Sequence, residues 1–377
     1  MSRFLSSLCA AGLLWTAVEA AAVLPRLTVT NLGPATGAPY SVLGDINDAG
    51  QAIGFSVAAD PSTDFAPFLY AAATGMQDFR TLAGAAANTR ISLSDINNRG
   101  QVVGQWNDRP FVWSSSAGVQ FLGSSGHASR INEVGQIALI SDGVSALYTP
   151  GSGLAPVPLS FAAGGVGLNN HGEVAGVVRT EGDSGPVFRA ARYGADGLTV
   201  LGTLPGGGNS YANGIDDAGT VVGYSEFVDP AGSYRLHAFR QLAGGGMEDL
   251  HTGSGWGSSA SGLDAQGRVL GAYFKVEVGE GSSQDLNAFW WAPDTGMVDV
   301  NTLLDPADAA IWHIQGLGAF NAQGQAAAYA LLDGYPQAVL VNLSAPVPEP
   351  AVWMLALAGL PLLARRARQR SNRYPTP

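Results

Sequence analysis

Few residues in this sequence have the types and spacing to do chemistry. Asp45-x-Asn47-x-Ala49-Gly50 matches the opening of an acidic calcium loop. Such a loop needs oxygen ligands at its first, third and fifth positions and a bidentate Glu later. The phrase recurs along the chain, and its fifth positions are Ala49, Arg99, Val134, His171, Ala218, Gln266 and Gln323. None is a carboxylate and the later Glu is missing, so turn formation accounts for the motif without metal. Paired carboxylates could instead hydrolyse a glycosidic bond. The candidates are Asp216-Asp217 and Asp45 with Asp48, all read as turn residues, where Asp is favoured because its side chain bonds nearby backbone.

The five histidines (His127, His171, His237, His251 and His313) are scattered, with no short two-His spacing of the kind zinc sites use. No Gly-x-Ser-x-Gly elbow occurs, and Gly206-Gly207-Gly208 and Gly244-Gly245-Gly246 lack the Lys and helix of a phosphate loop. Trp256, within Gly253-Ser254-Gly255-Trp256-Gly257, is expected on an inter-strand loop, where an aromatic ring can stack on a sugar. Trp290 and Trp291 are expected to alternate across a strand, one buried and one exposed, and the aromatics other than Trp256 are read as core or inter-blade packing. The expectation is a protein without catalytic residues, metal or cofactor, with Trp256 as its one candidate ligand-stacking residue.

The elements that position these residues come from a repeat. An apolar residue, then Asn or Asp, then a Gly three residues on, occurs seven times, with the glycines at 50, 100, 135, 172, 219, 267 and 324. The intervals of 50, 35, 37, 47, 48 and 57 residues are those of propeller blades rather than solenoid coils. Asn or Asp opens a tight turn and Gly closes it with positive φ, which gives strand, turn, strand. A second phrase lies between these hairpins, best seen as His237-Ala238-Phe239-Arg240 followed by Gly246-Met247-Glu248-Asp249-Leu250. Aromatic and β-branched residues flank its glycine loop, which favours another hairpin. Two hairpins per period make the four strands of one blade.

The predicted fold is therefore an all-β propeller of seven four-stranded blades, with six or eight blades or an open array left open. Leu27-Thr28-Val29-Thr30-Asn31 resembles the second half of the second phrase, and Ala338-Val339-Leu340-Val341 its first half. The N- and C-terminal strands are accordingly expected to share the last blade and close the ring, leaving only short, protected edges. Gly54, Gly104, Gly176, Gly223 and Gly271, each seven residues after the turn Asn or Asp, are read as packing glycines rather than a ligand surface.

Both chain ends read as addresses. Arg3, an apolar run from Phe4 to Val18 and Ala20-Ala21-Ala22 form a secretory signal over 1–22. The only cysteine, Cys9, lies inside it after Leu8, where a lipid-modified cysteine would want a small residue. The exported chain then has no thiol for disulfides, metal or nucleophilic attack. The repeat domain occupies 23–345. A tail over 346–377 carries Pro348-Glu349-Pro350, the apolar run Ala351 to Ala364, and the basic cluster Arg365, Arg366, Arg368 and Arg370. Fourteen helical residues reach about 21 Å, short of the roughly 30 Å hydrocarbon core of a bilayer.

Charge and composition narrow the partners. Only 13% of the 377 residues are charged, which suits short strands and turns. Setting aside the arginines of the two ends (Arg3, Arg365, Arg366, Arg368, Arg370 and Arg373) and Glu19 and Glu349 leaves 13 basic and 28 acidic residues, a net charge of −15. Nucleic acid and anionic membrane surfaces are unsuited to such a domain.

Two resemblances follow. The tail, with Pro348, Glu349 and Pro350 ahead of an apolar run and an Arg cluster, resembles the PEP-CTERM sorting signal of Gram-negative bacteria. It implies recognition and cleavage by an exosortase after transient membrane contact. The repeats, from about residue 26 to 343, resemble the extracellular HAF-type repeat, named for a His-Ala-Phe tripeptide that is intact here at His237-Ala238-Phe239. Ala66-Pro67-Phe68, Arg109-Pro110-Phe111 and Asn287-Ala288-Phe289 are degenerate copies. The resemblance implies an exported bacterial propeller and carries over no catalytic residue. The expected function is a non-enzymatic binding or structural module of the cell envelope or exopolysaccharide matrix, with polysaccharide a possible partner. The alternative is a carbohydrate-active hydrolase or lyase.

Overall fold

The computed structural model describes residues 24–33, 38–57, 65–163, 165–182, 185–251, 256–264, 266–275 and 285–343. The secretory segment, Pro348, Glu349, Pro350 and the arginines of the tail lie outside these residues. Among the described residues no helix is long and apolar enough to cross a membrane.

The chain forms seven four-stranded antiparallel sheets. Blade 1 contains Tyr40–Ile46, Ala52–Val57, Phe65–Ala71 and Gly75–Asp78 in that spatial order. The innermost strands of blades 2 to 7 are Ile91–Ile96, Gly126–Ile131, Gly167–Leu168, Ser210–Ile215, Trp256–Leu263 and Trp312–Leu317. Blade 7 completes the ring: its outermost strand is Leu27–Asn31, paired antiparallel with Tyr335–Leu343 in the register Leu27↔Leu343 to Asn31↔Val339. This is the closure expected from the two half-phrases. Asp308 secures it further, accepting from Val29 N at 2.8 Å.

Apolar burial concentrates between blades. Ile53, Leu69 and Phe79 of blade 1 pack against Ile91, Val102, Phe111 and Trp113 of blade 2, and each of the other six interfaces has its own cluster. A blade sandwiched between two neighbours buries both faces of its sheet. Trp290 and Trp291 pack between blades as expected, but neither ring is exposed: they are 4% and 5% exposed. They do alternate, but Trp290 joins the blade 7 interface and Trp291 the blade 5 interface.

The turn asparagine does more than make a turn. Asn47 Oδ1 accepts from the backbone N–H groups of Ala49 and Gln51, both at 3.0 Å, and Gly50 takes φ +72°. Its Nδ2 then donates across the blade interface to Asn97 O at 3.0 Å. Asn97 donates likewise to Asn132 O, Asn132 to Asn169 O, Asn169 to Asp216 O and Asn321 to Asn47 O, at 2.9–3.1 Å. The belt lapses after blades 5 and 6, where Asp216 and Asp264 have no amide to donate.

A second device joins the blades at the His-Ala-Phe position. Ala190, Ala238 and Ala338 donate their backbone N–H to Ser210, Ser258 and Ser41 of the next blade at 2.9–3.0 Å. Where Pro67 and Pro110 replace that Ala, the N–H is gone, and the serine position of the next blade holds Ile91 and Gly126 instead.

Candidate functional site

The seven inner strands surround a central cavity of about 600 Å³. Six of them carry a β-bulge, for example between Leu43 and Asp45 and between Leu93 and Asp95. A bulge re-aims the side chain next to it. The residue two before each turn Asn or Asp lines the cavity in every blade: Asp45, Asp95, Arg130, Gly167, Gly214, Gly262 and Ala319. Charge is thus confined to three consecutive blades, and blades 4 to 7 carry only glycine or alanine at this position.

The glycines of blades 4 and 5 have their own cause. The inner strands of blades 4, 5 and 6 approach so closely that a Cβ on Gly167 would lie 2.8 Å from Gly214 C, and one on Gly214 3.1 Å from Gly262 Cα. Packing thus leaves little room for a side chain at Gly167 and Gly214, and the charged side chains at this position are those of Asp45, Asp95 and Arg130.

Asp45 and Asp95 are hydrogen-bonded to each other, and burial together with the facing Asp95 carboxylate holds the Asp45 carboxyl well above the usual carboxylate range. Both are fixed from the next blade: Asp45 Oδ2 accepts from Ile96 N at 3.1 Å and Asp95 Oδ2 from Ile131 N at 2.7 Å. Arg130 stands between the channel and a side cavity of about 270 Å³ that includes His127 and Ser129. Ser94, Asn213, Ser261 and Tyr329 add hydroxyl and amide groups to the main cavity.

Asp45 was expected at a turn; it lies instead on the strand before the turn, facing the channel. Asp48, Asp216 and Asp217 are turn residues as expected, with Asp216 Oδ1 accepting from Thr220 N at 2.7 Å. Asp95 and Arg130 were missed as site residues, although a comparison of the seven copies at this one position would have singled them out. Trp256 opens the inner strand of blade 6, paired with Lys275 rather than carried on a loop; its side chain lies outside the described ones.

The histidines are less scattered than the sequence suggested. His237 and His251 stack with ring centroids 4.3 Å apart. His237 Nδ1 meets Asp249 Oδ2 at 2.8 Å and His251 Nδ1 meets Ser258 Oγ at 3.0 Å. Ser258 is fully buried, so this group seals blade 5 to blade 6. Among the described residues no three His, Cys, Asp or Glu side chains are grouped to hold a metal ion.

The repeat glycines serve packing. A Cβ at Gly54, Gly104, Gly223 or Gly271 would fall 1.9–2.2 Å from a carbonyl oxygen of the inner strand. Gly176 is different: its added Cβ would make only ordinary contacts, the nearest at 3.5 Å to Leu159.

No family model and no curated protein matches the chain. Solved structures do match. The β-propeller domain of the Trilobed protease from Pyrococcus furiosus, described as having an open velcro topology, aligns with TM-score 0.52 at 9% identity, covering 84% of this chain and 99% of that one. A puromycin-hydrolysing peptidase from Mycobacterium tuberculosis aligns with TM-score 0.52 at 12% identity, over 86% of this chain. The match spans 55% of that peptidase's length. This chain folds as a seven-bladed β-propeller. At these identities the likeness extends to the fold alone.

One expectation is corrected here. The sequence was read as that of a non-enzyme, because its carboxylates were taken for turn formers. The same scaffold occurs within the Mycobacterium tuberculosis peptidase, and two carboxyls meet in the central cavity of this one. The propeller is therefore no ground for excluding catalysis.

Proposed function

We propose that this chain is an exported propeller that binds a polar ligand, polysaccharide of the surrounding matrix, in its central channel. One observation carries the reading: a single structural position, repeated in seven blades, is Asp45, Asp95 and Arg130 in blades 1 to 3 and glycine or alanine elsewhere. Repeats that need only a scaffold have no use for charge at one sector of the axis, where desolvating it is costly. Carboxyl, guanidinium, hydroxyl and amide groups around one cavity are suited to a ligand rich in hydroxyls.

The two chain ends supply the address. The secretory segment and the tail built on Pro348, Glu349 and Pro350 support delivery to the envelope of a Gram-negative bacterium, with an exosortase acting on the tail. A glycan-array screen of the full-length chain tests the binding reading. At least one ligand that binds it should lose its signal with Arg130→Ala and with Asp95→Asn; an array without hits, or one on which both variants retain every hit, would count against the channel.

Hydrolysis is the second reading, favoured by Asp45, Asp95 and Tyr329 lining one cavity. Glycosidase carboxyls stand about 5–5.5 Å apart in retaining enzymes and roughly 6.5–9.5 Å in inverting ones. A hydrogen-bonded pair is closer, so this reading requires the two to part as the ligand enters. Release of reducing ends from the producer's own polysaccharide, abolished by Asp45→Asn, is the corresponding assay.

A further inference from the structure

A second concave site lies away from the channel, at the seam between blades 1 and 2. It encloses about 530 Å³, within the range of small-ligand pockets. Its apolar wall includes Phe55 and Phe65, which are 37% and 54% exposed. The two rings meet edge to face, with centroids 5.4 Å apart and planes at 72°. Large aromatic rings this exposed, set against each other in a concavity, leave apolar faces for a ligand to cover.

The rim is polar and planar. Arg90 and Asp108 face each other at 3.3 Å, with side chains 79% and 71% exposed, and Gln105 lies beside them. An ion pair this exposed is worth little on its own, so hydroxyl groups can insert between its partners at small cost. Behind the wall, Arg80 is 5% exposed and fixes the backbone, donating to Thr89 O and to Phe65 O, both at 2.8 Å.

Backbone conformation supplies an independent observation. The two-residue turn joining the middle strands is Asp142-Gly143 in blade 3 and Asp333-Gly334 in blade 7. Both positions have positive φ, which Asp-Gly suits well. In blade 2 the turn is Asn107-Asp108, with φ +45° and +64°. An Asp thus occupies the left-handed position that its sister turns give to glycine, a strain of the kind that clusters at ligand sites. The result is a carboxylate on the rim of the pocket.

We infer that the blade 1–blade 2 seam is a carbohydrate subsite, with a pyranose ring stacked on Phe55 and Phe65 and its hydroxyls paired with Asp108, Arg90 and Gln105. Pyranoses present C–H faces that pack on aromatic rings and equatorial hydroxyls that pair with planar carboxylate, guanidinium and amide groups. The inference rests on the carbohydrate part of the functional proposal but not on the channel. It also places the stacking role on Phe55 and Phe65, where the sequence had suggested Trp256.

The test is calorimetric titration of the full-length chain with neutral hexasaccharides (cellohexaose, maltohexaose and chitohexaose). At least one should bind, and Phe65→Ala and Asp108→Gly should each weaken it about tenfold or more. Asp108→Gly adopts the residue of the sister turns, so it should fold at least as well and its melting temperature should not fall. Arg130→Ala in the channel should leave this binding intact. No binding by any hexasaccharide, or binding that survives both seam variants, would overturn the subsite. Binding lost only with Arg130→Ala would also overturn it while upholding the channel; binding lost only with the seam variants would uphold the subsite against the channel.

Discussion

Asn47 and Asn97, the same residue of two successive copies, are joined by a 3.0 Å hydrogen bond from the side-chain amide of one to the backbone carbonyl of the other. Asn47 Oδ1 is meanwhile engaged with the turn that Asn47 itself opens. One side chain therefore makes the hairpin and docks the blade. That explains why Asn, rather than Asp, occupies five of the seven positions: Asp could cap the turn as well, but it has no donor for the neighbour.

Stability should follow this belt. Asn97→Ala removes the acceptor for Arg99 N and Gln101 N and the donor to Asn132 O, at a buried site, and should cost about 1–3 kcal/mol. Asp216→Asn keeps the bond to Thr220 N and offers a new donor toward blade 6; it should gain about 0.5–1.5 kcal/mol. Urea denaturation midpoints of the two variants check both signs.

The glycine row should divide. Gly104→Ala would put a Cβ 2.0 Å from Ser92 O, a backbone clash that should cost at least about 2 kcal/mol. Gly176→Ala meets only ordinary contacts and should stay within about 1 kcal/mol of the parent. Equal effects on the melting temperature would show that the row is not read by packing.

The carboxyl pair makes a pH prediction. The folded-state pKa of Asp45 is raised, so its contribution to stability is full below the ordinary Asp range and is lost as pH rises through the folded value. Asp45→Asn keeps an acceptor for Ile96 N and a donor for Asp95, without a proton to lose. Its melting temperature should therefore match the parent in acid and exceed it at pH 7 to 8. A parent that is the more stable of the two at pH 8 would contradict the raised Asp45 carboxyl.

The tail makes a cellular prediction. Mass spectrometry of the exported protein should find a C-terminus ending near Pro348-Glu349-Pro350 in cells with an active exosortase. An intact Pro377 terminus in such cells would count against the sorting proposal.

Much of this architecture was legible because turn chemistry is local. Asn47 to Gly50 and its six copies specify hairpins wherever they occur, and hairpins at blade-length intervals specify a propeller. Closure was legible because each end carries half a phrase. What lay beyond reach depends on contacts between blades. The second role of Asn47, the pairing of Ala238 N–H with Ser258, and the burial of both Trp290 and Trp291 exist only once sheets stack face to face. Asp45 was misplaced for a smaller reason: one bulge residue, Gly44, shifts the strand so that its neighbour faces the channel. Its partner Asp95 lies 50 residues away, close only when the ring forms.

We propose that the ligand is held where the seven copies differ. The most direct test of this is calorimetric titration of the producer's own exopolysaccharide into the full-length chain and into Arg130→Ala, which introduces the residue type that blade 7 already carries at this position as Ala319. The parent should bind and the variant should bind about tenfold or more weakly, with the melting temperature nearly unchanged. Equal affinities for parent and variant would contradict it.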